Sequence, residues 1–556
     1  MDYFDLGTHS RKVTTGSADA QRWFDRGLVW CYGYNHAEAV ACFERALVAD
    51  PDCAMAHWGI AYAAGPNYNM PWQRFDDAGR AAALARAHAA TRAALARAER
   101  ASPAERALIA ALPARYPQAE PSGQMEAWND AFADAMRAAY AAHSDDPEIA
   151  AVFVEAMMNR TPWKMWDQTT GLPADGADTV EARQVLEDAL ARMPGAMDHP
   201  GLLHLYVHLM EMSPCPEQAL IAADRLRDLV PDAGHLVHMP THIDIQCGHY
   251  RDALYWNQKA IEADRKYLAR EGPMNIYSGY RVHNYHFAVY GAMFLGQFVP
   301  ALASADELIA TTPEALLRID SPPMADYFES YIAVRPHVFI RFGRWHEILA
   351  QQMPDDPDLY CNLVATLHYA RGIAHAALGQ VSRAEAEQMA FRAATARVPA
   401  TRLLHNNRCI DLLAVAEKML SGEIAYRKGE YDRAFADLRE AVAREDTLPY
   451  DEPWGWMQPV RHALGALLLE QGHVDQAEAV YRADLGLGKR LPRAQVHPDN
   501  LWSLRGLMDC LTRRGAADSA EGRLIGQRLE LAAARADVLV GVSCFCAGQG
   551  GDRMRP

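Results

Sequence analysis

The sequence predicts an all-α solenoid of stacked helical hairpins. Three observations carry that expectation: a 34-residue period, small residues at fixed places within it, and a proline or glycine where each helix must stop. Residues 20–53, AQRWFDRGLVWCYGYNHAEAVACFERALVADPDC, place Gly27 at position 8, Ala39 at 20, Phe43 at 24, Ala46 at 27 and Pro51 at 32. Small side chains at positions 8 and 20 let two antiparallel helices approach closely, and Pro51 closes the second helix.

The frame recurs along the chain. HYRDALYWNQKAIEAD puts Ala253 at position 20, so that unit starts at Gly234; Ala219 with Pro231 sets a start at Pro200, and Ala301 with Pro313 a start at Val282. Further units surround GQVSRAEAEQMA, KGEYDRAFADLREAV, QGHVDQAEAVYRADL and RGAADSAEGRLI, each with glycine at position 15. Weaker units surround RFGRWHEIL and TVEARQVLEDALARMP. This pattern resembles the tetratricopeptide repeat, which implies a right-handed superhelix of helical hairpins. The expected organisation is an N-terminal segment (1–19), a continuous array (20–535) with histidine-rich groove repeats at 200–313, and a flexible C-terminal tail (536–556). Aromatic- and proline-rich inserts interrupt the array at GPNYNMPW, NRTPWKMWDQTTGLPADG, LAREGPMNIYSGY and LPYDEPWGWMQP. Such loops can fold over the concave face and close it.

Bulk composition removes several function classes. The net charge of −16, from 71 acidic and 55 basic residues, argues against nucleic acid or an anionic membrane surface as partner. No run of about 20 apolar residues is present to span a bilayer, and the start MDYFDLGTHSRKV has no secretory pattern, so a cytoplasmic location is expected. The ten cysteines are scattered and read as small core residues in a reducing compartment, with Cys544 and Cys546 forming a C-x-C in the glycine-rich tail.

Histidine is unevenly distributed. There are 22 in 556 residues, yet HPGLLHLYVHLMEMSP and GHLVHMPTHIDIQCGHY hold seven. Repeat indexing explains the crowding. His204 and His208 occupy positions 5 and 9 of the unit starting at Pro200; His235, His238 and His242 occupy 2, 5 and 9 of the next; His283 and His286 occupy 2 and 5 of the one after. In tetratricopeptide arrays, which this pattern resembles, positions 2, 5 and 9 face the groove. Of the nine such slots in these units, seven are histidine, and the others are Gly201 and Tyr290. An i, i+4 pair sets two imidazoles on one helix face about 5–6 Å apart at Cβ, and neighbouring helices lie ~8–10 Å apart. The rings can therefore converge.

That convergence makes His204, His208, His238, His242, His283 and His286 candidate ligands for one or two transition-metal ions, copper, iron or zinc, to which imidazole is suited. His235, Glu211 (three residues beyond His208) and Tyr290 are candidate catalytic groups. Glu155, Asn159, Trp163, Trp166 and Tyr206 are weaker candidates for a substrate pocket. Pro240, between His238 and His242, is expected to kink its helix. Of the scattered histidines, His36, His249, His346 and His473 read as polar surface groups near turns, and His57, His368, His375 and His462 as packing residues.

VHNYHFAVYGAMF, HLYVHLMEMSP, GHLVHMPTHI and HWGIAYAAGPNYN resemble a subgroup of long bacterial and animal tetratricopeptide proteins with a histidine–asparagine–aromatic motif, a likeness that EPWGWMQPVRHALGALLLEQG shares. The resemblance implies a closed-up superhelix with a histidine-rich interior and assigns no reaction. The lysine–asparagine clamp that other repeats of this kind use for peptide carboxylates is not visible, since the first unit has Gln21, Phe24 and Leu28 at positions 2, 5 and 9. The expected function is a metal-dependent enzyme, with oxidative chemistry on a small organic substrate first. A zinc-type hydrolase in the same site, and a scaffold binding a peptide or protein, are the alternatives.

Overall fold

In a computed structural model that describes residues 3–488 and 491–547, the chain is built from helical hairpins, and its strands among these residues are the antiparallel pair Leu403–Leu404 and Asn407–Arg408. The fold is all-α and tetratricopeptide-like. The first repeat is the hairpin Ala18–Tyr32 with His36–Ala49. Its close approach is visible at Gly27, where an added Cβ would sit 2.6 Å from the Phe43 ring. No helix among the described residues is long and apolar enough to cross a membrane.

The turn chemistry follows the frame. Gly248, Gly296, Gly343, Gly379, Gly429, Gly472 and Gly515 end first helices with φ between 63° and 81°, the left-handed conformation glycine adopts without steric cost. In the first repeat the same position is Tyr34, with φ 54°. A side chain there costs about 1–2 kcal/mol.

The chain divides into two compact units, Met1–Ile243 with Lys259–Arg270, and Asp244–Gln258 with Glu271–Pro556. Repeat periodicity carries no mark of such a boundary, because each repeat contacts mainly its neighbours. In the first unit the Pro147–Met158 helix packs on Pro200–Met210, which also meets Ala18–Tyr32. Pro240 interrupts its helix, as expected: Gly234–His238 ends and Pro240–Cys247 begins across Met239, and Thr241 Oγ1 donates to the His238 carbonyl at 2.7 Å.

In the second unit the hairpins include Cys361–Ala377 with Val381–Thr395, Cys409–Arg427 with Tyr431–Asp446, and Val460–Glu470 with Val474–Asp484. Of the expected tail, residues 548–556 lie outside the described residues. Its described part packs on this unit: Ser543 Oγ donates to the His462 carbonyl at 3.0 Å, and the Phe545 ring meets Trp502 at 5.7 Å. Cys544 and Cys546 form a disulfide. His249, His346 and His473 are exposed. His36 is not a surface group: it is half-buried, Nδ1 lies 2.9 Å from the Ala63 carbonyl, and burial with the Arg115 charge lowers its pKa to about 4.

Candidate metal centre

The first unit brings five of the predicted histidines and Glu211 into one buried volume. His204, His208, His235, His238, His242 and Glu211 are each 0–1% exposed. Ring nitrogens of His204, His208 and His235 all lie within 4.8 Å of one another. His204 Nε2 is 3.1 Å from His235 Nε2, and His238 Nε2 is 2.8 Å from His242 Nε2. The break at Pro240 therefore does not separate that pair. Two ligands of one ion, each about 2.0–2.1 Å from it, sit roughly 3 Å apart. Both contacts have that spacing.

The outward nitrogens are held from behind. His204 Nδ1 lies 2.7 Å from the Tyr32 carbonyl and donates to it, which leaves the lone pair on Nε2. His208 Nδ1 donates to Glu211 Oε1 at 3.0 Å, and His242 Nδ1 lies 2.6 Å from Glu211 Oε2. One carboxylate thus lies against two imidazoles, and its hydrogen bond to His208 turns that ring's Nε2 forward, the arrangement that orients metal-binding histidine. Burial, then the charge of His208, holds His204 well below the usual histidine range; burial, then His204 and His238, does the same for His235. Both rings are neutral at pH 7 and their lone pairs are available. Replacing Glu211 with Gln keeps the volume but removes one of its two acceptor oxygens, and is expected to weaken metal affinity about 10–100-fold, read by competition with a chromogenic chelator.

Tyr32 is itself anchored. Its hydroxyl donates to Glu148 Oε2, whose other oxygen meets His9 Nε2 at 2.9 Å and His199 Nε2 at 3.2 Å. The two histidines hold the Glu148 carboxyl well below its ordinary range against the opposing effect of burial. This second histidine–carboxylate group is a poor metal site as arranged, because His199 Nδ1 accepts the Leu202 N–H and Nε2 must carry the proton.

Three aromatic rings wall His208. Tyr34 lies 4.6 Å from His204, 5.8 Å from His208 and 5.4 Å from His235, centroid to centroid. Tyr68 is 5.0 Å and Trp163 5.7 Å from His208, and these two stack on each other at 5.5 Å. Tyr68 and Trp163 arrive from the first two aromatic inserts. Both left-handed non-glycine residues among the described residues of this unit, Tyr34 and Trp163 (φ 60°), are therefore at this cluster, and such strained backbone collects at functional sites. Tyr34 and Tyr68 are not among the site residues that the sequence predicts. The available signal for Tyr34 was a tyrosine where seven later repeats put glycine.

The other candidates have the following surroundings. Glu155 and Asn159 are buried and hydrogen-bonded to each other, and burial raises the Glu155 carboxyl to about 8. The folded chain keeps that proton while the unfolded chain loses it above about 4.5. Stability is therefore lost as pH rises through that interval, by about 1.4 kcal/mol per unit. Glu155→Gln is expected to remove that loss, gaining roughly 3 kcal/mol on the wild type between pH 5 and 7 in urea titrations. Trp166 donates from its indole N–H to the Leu209 carbonyl at 2.7 Å, and Tyr206, two residues from His204 and so on another helix face, donates to Glu187 at 3.1 Å.

His283, His286 and Tyr290 belong to the second unit. There His283 stacks on His405 at 5.1 Å, and His405 Nδ1 bonds Asp451. His286 meets Tyr331 at 5.4 Å, and Tyr290 packs on Phe294 at 4.3 Å.

No protein-family model matches the chain, and no curated protein matches it. Solved structures do. A monomeric IFIT1 mutant with m7Gppp-AAAA is 12% identical, with 82% of this chain and 91% of that one covered at a TM-score of 0.33. Naa15/Naa10 bound to HypK-THB is 14% identical, with 92% and 70% covered at a TM-score of 0.21. At these scores neither likeness carries an argument about function.

Proposed function

We propose that the chain is a transition-metal-dependent enzyme, with redox chemistry at the buried imidazoles of the first unit acting on a small organic substrate with dioxygen. The observation that carries the reading is the pair of imidazole groups, His204/His208/His235 and His238/His242, linked from behind by Glu211. The first group would hold one ion and the second offers ligands for another. Bound copper or iron would supply electron transfer, and neutral imidazole suits both. The protein's own share is to fix tautomers through Tyr32 and Glu211, and to keep the site dry with Tyr34, Tyr68 and Trp163.

Two alternatives fare less well. A hydrolase needs a carboxylate ready to take a proton from water, whereas both Glu211 oxygens face histidine Nδ1 atoms. A peptide-binding groove needs accessible side chains, whereas these imidazoles are at most 1% exposed.

The test is elemental analysis of protein purified without a histidine tag or chelators, followed by paramagnetic resonance and dioxygen uptake. One or two equivalents of copper or iron, with a signal that changes on reduction, is the expected result. Zinc alone would favour hydrolysis, and absence of any metal together with no thermal stabilisation by added copper, iron or zinc would overturn the reading.

A further inference from the structure

The second unit carries a pocket that the metal-centre reading does not use. Residues 248–252, the end of the Ser278–Leu295 helix, Leu501 and the Arg528–Arg535 stretch enclose about 310 Å³, at the small end of the range for small-molecule sites. Its chemistry runs against the composition of the chain. Overall charge is −16, yet this lining holds three arginines, Arg251, Arg528 and Arg535, against two aspartates. Arg251 pairs with Asp252 at 2.7 Å, and Arg528 bonds Asp499, which is held in the left-handed conformation at φ 54°. Arg535 meets no carboxylate among the described residues, so one positive charge is left over at the rim.

The rest of the lining is apolar. Phe294 and Leu295 form one wall, with the Phe294 ring stacked on Tyr250 at 4.9 Å, and Leu531 stands 66% exposed at the edge. An inorganic anion would satisfy only the arginine, and a neutral hydrocarbon only the walls.

We propose that this pocket binds a small organic monocarboxylate, its carboxylate on Arg535 and its apolar body between Phe294 and Leu531. The site is independent of the metal centre, so either can fail alone.

The experiment is isothermal titration of the full chain with phenylacetate, phenylacetamide and sulfate as probes, on wild type, Arg535→Gln and Leu531→Asp. Both substitutions are at solvent-facing positions, and melting curves check that each variant folds. Phenylacetate is expected to saturate one site, with phenylacetamide and sulfate each at least tenfold weaker. Arg535→Gln should weaken phenylacetate at least tenfold and leave phenylacetamide unchanged, while Leu531→Asp should weaken phenylacetate too. No saturable phenylacetate binding, equal binding of acid and amide, sulfate binding as tight as phenylacetate, or an unaffected Arg535→Gln variant would overturn the proposal.

Discussion

His208→Ala and His235→Ala are each expected to strip the first metal from the chain, with affinity falling at least about 100-fold, beyond the 10–100-fold typical of groups that only orient a ligand. His208 sits at the centre of the arrangement: Nδ1 is fixed by Glu211, three aromatic rings surround it, and its ring lies 4.6 Å from His204 and 6.1 Å from both His235 and His242. His235 closes the triad through its 3.1 Å contact with His204. Metal content by mass spectrometry after gel filtration reads the effect. Surface controls are at hand in His346 and His473, which are exposed and should change nothing. Full metal retention in both site variants would mean that other residues hold the ion.

Tyr34 should show an inverted substitution order. At most buried positions, truncation to alanine is milder than truncation to glycine. Here the left-handed backbone reverses that, because alanine keeps the steric cost of about 1–2 kcal/mol while glycine removes it. Both lose an aromatic ring packed on three imidazoles, a change worth roughly 3–5 kcal/mol in cores. Tyr34→Ala is therefore expected to be the least stable of the series in urea denaturation, with Tyr34→Gly about 1–2 kcal/mol better and still below wild type. Both variants should also bind metal more weakly, since water can reach the face that the ring covered. Alanine matching or exceeding glycine would show that Tyr34 does not occupy the left-handed turn.

The sequence made some of this legible for identifiable reasons. Gly27 and Phe43 announce the hairpin because only a hydrogen fits beneath that ring. The histidines announce a shared site because 34-residue spacing repeats a side chain's direction as well as its identity. What stayed hidden depends on backbone and distant contacts. The Tyr32 carbonyl that orients His204 is invisible in any residue pattern. Glu148, His9 and His199 meet across more than a hundred positions, outside the repeat register. Glu211 was found by its i+3 spacing from His208, but its second contact, to His242, comes from another repeat and turns a candidate base into a positioning group.

Imidazoles from successive hairpins are proposed to close on a common ion. Metal-edge anomalous diffraction from crystals of the native protein, with X-ray absorption for bond lengths, tests it most directly. The expected result is a peak bonded by the Nε2 atoms of His204, His208 and His235 at about 2.0–2.1 Å, with Glu211 behind His208 and His242. A fully loaded protein whose anomalous peak lies away from these three nitrogens would contradict it.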